Sequence, residues 1–339
     1  MQKSRGFTLI ELLVVVGVIA ILIAILVPSL SKARAEARAV KCGTGMRAVG
    51  QGVSIYLTAY ENVYPPSYVY PDASGAWALD NQVHPPANGY MHWSYFLFGE
   101  VKDQRAFMCP EFEKGGVPRT NPGPNGGYWM DGQVDQNGAS TANNAVEDRQ
   151  APFVAFSANA ALMPRNKFTE NDRDSDPSTA GGDRLNGFVR NTSLTHASST
   201  ILATEFNSNW KTIAQPQGGK FKALGHRPIM PFGLLGSTNE FSNPPTAPFT
   251  NVSAASLMDS ASLQSQAAAD YSLINDNIQL NAVGRNHPGV STAGGKSMGG
   301  SSNFLYVDSH VERKSIVTAL DAREFGNQFY SISGTQTVR

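Results

Sequence analysis

Gly6-Phe7-Thr8-Leu9-Ile10-Glu11, followed by LLVVVGVIAILIAILVPSL over residues 12–30, decides how the chain is read. From Phe7 to Leu30 only Glu11 carries a charge. The run exceeds the ~20 apolar residues that a bilayer-spanning helix needs. A carboxylate in such a segment is expensive, on the order of 3 kcal/mol at full depth, so it usually has a function. Glu11 is therefore the residue to explain.

A secretory signal would place a small-residue cut after the apolar stretch. Here Pro28-Ser29-Leu30-Ser31 leads directly into Lys32-Ala33-Arg34-Ala35-Glu36-Ala37-Arg38-Ala39, which continues as helix. The natural cut lies ahead of the run, between Gly6 and Phe7. Gly6 with Phe7-Thr8-Leu9-Ile10-Glu11 resembles the class III leader of type IV pilins and type II secretion pseudopilins. The resemblance implies that a prepilin peptidase, a membrane aspartyl protease, cleaves after Gly6 and N-methylates Phe7. The plain alternative is a generic single-span anchor.

The resemblance implies an α+β fold, with a long N-terminal helix packed on an antiparallel β-sheet head carrying long loop insertions. The expected organisation is a leader over residues 1–6 and a transmembrane or filament-core helix over 7–30. An amphipathic continuation over 31–64 and an exported head over 65–339 follow. After cleavage Phe7 would carry a new amine one helical turn from Glu11. In a filament the carboxylate would pair with the amine of a neighbouring subunit. Losing one partner of a buried pair costs about 3–5 kcal/mol, so the pairing would set axial register. Pro28 stands where pilin-like helices carry a mid-helix proline. It removes one backbone hydrogen bond and favours a kink or local melting, or simply a bend at the membrane surface.

Topology contains a conflict. Lys3 and Arg5 favour a cytoplasmic leader, whereas Lys32, Arg34, Arg38 and Lys41 lie beyond the span and favour the reverse orientation. The leader resemblance decides for a single-pass inner-membrane protein with a periplasmic head, reaching an extracellular filament or the cell surface in use. The basic cluster then lies against lipid headgroups or forms a solvated helix face. The implied partners are prepilin peptidase, other pilin or pseudopilin subunits, the inner-membrane assembly machinery and membrane lipid. A net charge of +0 argues against nucleic acid.

Beyond the span, Ala33, Ala37, Val40, Met46, Val49, Val53, Tyr56 and Tyr60 recur at helical steps. Gly43, Gly45, Gly50 and Gly52 either permit close packing or interrupt the helix. Pro65-Pro66 is expected to end it, giving a helix from Phe7 to about Tyr60, roughly 80 Å long. Cys42-Gly43-Thr44-Gly45-Met46-Arg47, Cys109-Pro110 and the C-terminal His287…Asp308-Ser309-His310-Val311 resemble motifs of large planctomycete-type pilin-like proteins. Those proteins end the last motif Asp-Gly-His-Val; here Ser309 replaces the glycine and a longer Gly/Ser-rich spacer follows His287.

The 2 cysteines, Cys42 and Cys109, leave two readings in an oxidising compartment. A bridge would close a long loop worth about 4 kcal/mol; otherwise they are separately buried thiols. Asp172, Asp174, Asp176 and Asp183 imitate a Ca2+ loop, with Pro177 where such a loop needs glycine, or form a solvated acidic loop. His287, Asp308 and His310 either converge on a metal or belong to a hairpin, Asn303–Val307 and His310–Ile316 around Asp308-Ser309. Ala151–Ala158, Thr200–Phe206 and Ser272–Ile278 read as strands or short helices. Residues 115–142 and 233–256 read as insertions or surface loops. Trp77, Trp93, Trp129 and Trp210 either fill the core or form an exposed aromatic patch.

No Gly-x-Ser-x-Gly, phosphate-cradling loop or His-Glu-x-x-His occurs. Glu205 and His196 can be paired on paper, but no spacing demands it. The expected role is a non-enzymatic structural subunit, major or minor, of a pilus or secretion filament. The alternative is a membrane- or filament-tethered module that binds a surface glycan or partner protein.

Overall fold

Thr8 opens the long helix with a reciprocal cap. Its Oγ1 accepts from the Glu11 N–H at 3.3 Å, and the Glu11 carboxylate accepts from the Thr8 N–H at 2.9 Å. This arrangement satisfies backbone donors that the first turn cannot satisfy itself. The computed structural model describes residues 8–72, 74, 89–141, 146–164, 188–229, 231–234, 255–257, 263, 279–326 and 330. In it, α1 (Leu9–Ala59) runs unbroken for 51 residues, about 76 Å at 1.5 Å per residue. The helix starts at Leu9 rather than Phe7 because Thr8 is extended and serves as the cap.

Pro28 sits inside the helix without melting it; one missing N–H leaves the neighbouring bonds to carry the helix through. Nor does Pro65-Pro66 end it. Glu61 and Asn62 turn the chain with φ of 52° and 60°, and the Asn62 N–H closes on the Leu57 carbonyl at 2.7 Å. Asparagine tolerates this left-handed conformation better than most residues, so the helix stops at Ala59, next to the expected end near Tyr60.

The head is built from short strands, in chain order β1 (Tyr68–Val69), β2 (Met91–His92), β3 (Val117–Pro118) and β4 (Gln133–Val134). Next come β5 (Phe153–Val154), β6 (Phe156–Ala158), β7 (Ile201–Glu205), β8 (Ala214–Gln217) and β9 (Lys220–Ala223). The series ends with β10 (Phe232–Leu234), β11 (Ala255–Leu257), β12 (His287–Ala293), β13 (Lys296–Tyr306) and β14 (Val311–Lys314). The principal sheet has 5 strands in the order β12-β13-β7-β6, with β14 also on β13. All of its pairings are antiparallel. The first part of the long strand β13 pairs with β12, and its last part lies between β14 and β7. Among the described pairs of strands, β4 with β9 is parallel.

The sheet covers one face of α1, with Ala39, Cys42, Met46, Val49, Val53 and Leu57 buried at three- and four-residue steps. Val40 and Tyr60 belong to the exposed side instead, at 67% and 54% exposure. Ala33 and Ala37 are exposed as well. The glycines serve close approach. A Cβ on Gly45 would stand 2.9 Å from the Ala106 carbonyl oxygen, and one on Gly50 would stand 2.6 Å from Leu305 Cδ1. Polar contacts finish the seam: Asn303 Nδ2 donates to the Ala39 carbonyl at 3.2 Å, and Ser309 Oγ donates to the Gly50 carbonyl at 3.2 Å.

The spacer after His287 is a β-hairpin. Ala293 and Lys296 pair across Gly294-Gly295, both at positive φ, the conformation demanded by a tight turn between right-twisting strands. The next hairpin joins β13 to β14 through Asp308-Ser309, Ser309 having φ 70°. Its second strand stops at Lys314, short of Ile316, because Ser315 Oγ accepts from the Val317 N–H and caps helix α4 (Ile316–Asp321). Residues 151–158 and 200–206 supply β5, β6 and β7; Ser272–Ile278 and most of 233–256 lie outside the described residues.

Residues 115–142 are not a surface insertion throughout, since Gly116 to Gly123 are buried. Buried Asp148 makes this possible by accepting from the backbone N–H groups of Tyr90 and Asn121, both at 2.9 Å. Burial pushes its carboxyl up to about 6, against the lowering effect of those hydrogen bonds. Trp93, Trp129 and Trp210 are all buried, and Trp77 lies outside the described residues.

Candidate functional site

The first half of α1 leaves its apolar side chains uncovered. Every residue from Leu9 to Leu30 is exposed, with Leu9 at 78% and Ile10 at 74%. This is the one described helix long and apolar enough to cross a membrane. A soluble surface rarely carries a contiguous apolar area this large. Its burial would release free energy in proportion to area, which is consistent with anchoring in a membrane.

Glu11 sits at the start of this surface. Its Oε2 accepts from both the Thr8 N–H at 2.9 Å and the Thr8 hydroxyl at 2.8 Å. Within a single chain, Glu11 thus has a local task as a helix cap. Its neighbours Gly6 and Phe7 lie outside the described residues.

Beneath the second half of α1 lies a buried cluster. Cys42 on α1 and Cys109 are joined by a disulfide, with Cα atoms 4.9 Å apart and 67 positions between them in sequence. The 3-10 turn Gln104–Phe107 brings Cys109 to the helix. There Cys109 N–H donates to the Gly115 carbonyl at 2.8 Å, closing a tight loop. The bridge fastens α1 to the head at the level where Gly45 lets the Ala106 backbone approach.

Glu205, the last residue of β7, and His287, the first of β12, meet beside the disulfide. His287 Nε2 lies 2.9 Å from Glu205 Oε1, and both side chains are fully buried. Asn303 Nδ2 donates to the same oxygen at 2.7 Å, and the Asn303 N–H donates to Oε2 at 3.2 Å. The sulfurs of Cys42 and Cys109, one Glu205 oxygen and one His287 nitrogen all lie within 4.8 Å of one another. His287 Nδ1 is buried and has no hydrogen-bond partner.

This grouping corrects two pairings. Glu205 does not meet His196, which is exposed in the turn ahead of β7. His287 does not converge with Asp308 and His310. Those two form their own contact at the hairpin tip, His310 Nδ1 to Asp308 Oδ1 at 2.5 Å, with the His310 ring stacked 4.2 Å from Tyr306. The hairpin accounts for them. One signal for the true partner was present in the sequence: Ile201-Leu202-Ala203-Thr204-Glu205 places a carboxylate in a strand that is otherwise nearly apolar. A charge in such a strand needs a partner, although nothing in the sequence says which. Asp172, Asp174, Asp176 and Asp183 lie outside the described residues.

The basic stretch after the span is partly tied to the head. Arg38 meets Glu111 at 2.6 Å, and Arg313 on β14 meets Glu36 at 2.6 Å.

Residues 1–27 match the family model described as the prokaryotic N-terminal methylation motif. No curated protein and no solved structure matched the chain. The matched residues include Gly6, Phe7, Glu11 and most of the exposed apolar helix. Over these 27 residues, and in its α+β architecture of a long helix on an antiparallel sheet, the chain is similar to type IV pilin-like proteins and pseudopilins.

Proposed function

We propose that the chain is a structural subunit, major or minor, of a type IV pilus or type II secretion filament, processed after Gly6 by prepilin peptidase. The observation that carries this reading is the exposed apolar half of α1, with a single carboxylate at Glu11 inside the matched methylation motif. Before assembly the segment anchors the chain in the inner membrane with the head in the periplasm. After assembly the same surface packs against the apolar helices of neighbouring subunits, under the inner-membrane assembly machinery.

Glu11 acts in both states. In a single subunit Oε2 holds Thr8. In the filament the carboxylate also meets the new amine of Phe7 on the adjacent subunit. A bare carboxylate is costly in an apolar core, and an amine is costly there too. Subunits docked out of register leave both unpaired, so the pair selects one axial offset. The role is structural, and the head supplies the surface that distinguishes this subunit from others.

Replacement of Glu11 tests the proposal. Glu11→Ala should insert in the membrane and fold its head normally, yet fail to enter sheared or co-purified filaments. Normal incorporation of that variant would remove the register function. Recovery of the wild-type chain in extracellular sheared fibres, rather than in periplasmic secretion complexes, would favour the pilus role.

A further inference from the structure

We propose that Cys42, Cys109, Glu205 and His287 form a zinc site when the two cysteines are present as thiols. On this proposal the head has two alternative clasps on α1: the disulfide, and a metal held by the same sulfurs.

The geometry is that of a collapsed four-coordinate site. A tetrahedral zinc with sulfur at about 2.3 Å and nitrogen or oxygen at about 2.0–2.2 Å separates its ligand atoms by roughly 3.3–3.8 Å. Here the donor atoms lie within 4.8 Å of one another, so breaking the S–S bond and letting the sulfurs part accommodates the ion. The donor set is selective. Two thiolates, an imidazole and a carboxylate suit zinc, whereas calcium and magnesium take oxygen ligands.

Burial supplies the second observation. All four residues are within 2% of complete burial, yet His287 Nδ1 has no partner. A buried ring nitrogen without a hydrogen bond is uncommon, and with Nε2 held by Glu205 it leaves the ring one nitrogen uncommitted within the protein. Glu205 is held by Asn303, whose Nδ2 also donates to the Ala39 carbonyl of α1. Such outer contacts orient the ligands of a metal site. The four ligands come from α1, the loop after the Gln104–Phe107 turn, β7 and β12. An ion at their centre would fasten helix to sheet as the disulfide does.

The chemistry balances. A dithiol reductant converts the disulfide into two thiols and is itself oxidised to a disulfide. Zinc then displaces both thiol protons to form two zinc–thiolate bonds, releasing two protons to solvent. A newly exported chain reaches the same state without a reductant, because its cysteines have not yet been oxidised.

Cobalt(II) is the probe. The full chain in detergent micelles is reduced with dithiothreitol, desalted without oxygen and titrated with cobalt, then with zinc. The expected result is one cobalt per chain, with thiolate-to-cobalt charge-transfer absorption and the intense visible bands of four-coordinate cobalt, both erased by zinc. Cys42→Ser with Cys109→Ser should abolish the charge-transfer band. His287→Gln and Glu205→Gln should each weaken cobalt binding at least about tenfold. If reduction alone loosens the head, cobalt should restore its near-ultraviolet circular dichroism. The proposal is overturned if the reduced chain binds no cobalt through its thiols, if metal does not restore a loosened head, or if both Gln variants bind as tightly as wild type.

Discussion

Residues 9–38 and residues 39–59 share one helix and meet opposite surroundings. In the first stretch almost every side chain is exposed, and no polar face interrupts the apolar surface up to Leu30. In the second, one stripe is buried, the opposite side is exposed, and glycines let strands and loops come close. The apolar span from Leu9 to Leu30 stays exposed and is not packed on the head, whereas the second stretch is completed by its own head. A helix that is apolar all round belongs in a membrane or among other apolar helices, and an amphipathic one belongs on a core. Both environments are therefore specified along one continuous rod, and Ala39 is the first helix residue buried by the head.

The sharpest way to break this contrast is to unfasten the seam. Cys42→Ser with Cys109→Ser releases a loop of 67 positions, which loop-closure entropy values at about 4 kcal/mol. Denaturant unfolding of the detergent-solubilised chain should show a head destabilised by that order, with membrane insertion unchanged. Equal damage to insertion would mean that the two halves are not independent.

Glycine replacements compare the halves directly. A Cβ on Gly45 meets backbone, the Ala106 carbonyl, at 2.9 Å, whereas one on Gly17 meets nothing within 4 Å. Gly45→Val should cost the head about 2 kcal/mol by overpacking. Gly17→Val should leave head stability within about 0.5 kcal/mol of wild type. Thermal melts of both variants would show it, and comparable losses would contradict the division at Ala39.

A third test belongs to the head alone. His92 is buried, and its Nδ1 accepts from the Ser94 N–H at 3.3 Å. Burial lowers its pKa from 6.5 to about 3. Between these values the unfolded chain binds the proton and the folded chain does not, so stability falls as pH drops below 6.5. The slope is about 1.4 kcal/mol per pH unit. Asp148, with its raised pKa, pulls the opposite way between 3.8 and about 6, so the contrast with His92→Asn isolates the histidine. Asparagine keeps a helix-capping acceptor, and the variant should lose this acid sensitivity. An unchanged pH profile would refute the assignment.

The smallest effect is expected at the junction. Arg38 is 43% exposed and pairs with Glu111, itself 17% exposed. Arg38→Ala should cost about 0.5 kcal/mol and less in high salt, read from denaturation midpoints at two ionic strengths.

Local features of the chain were legible in sequence, and non-local ones were not. The apolar run, the cap at Thr8 and the helical stripe from Met46 to Val53 depend on near neighbours, and residue spacing reports them. The helix end near Tyr60 is legible because the apolar helical steps run out there, while the turn itself is made by Glu61-Asn62, ahead of the louder Pro65-Pro66 signal. Gly294-Gly295 was read within a spacer because the alternation around it is weak, Ser and Gly filling positions that strands usually give to larger side chains. Glu205 and His287 stand 82 positions apart. Their meeting depends on β13 separating β7 from β12 in the sheet, which no spacing rule encodes.

The central claim is that the exposed half of α1 is an assembly segment released by cleavage between Gly6 and Phe7. Mass spectrometry of the chain purified from its native membrane or filament tests this most directly. The account predicts a chain lacking Met1 through Gly6 and beginning at N-methylated Phe7. A chain that keeps Met1 and associates with no filament would contradict it.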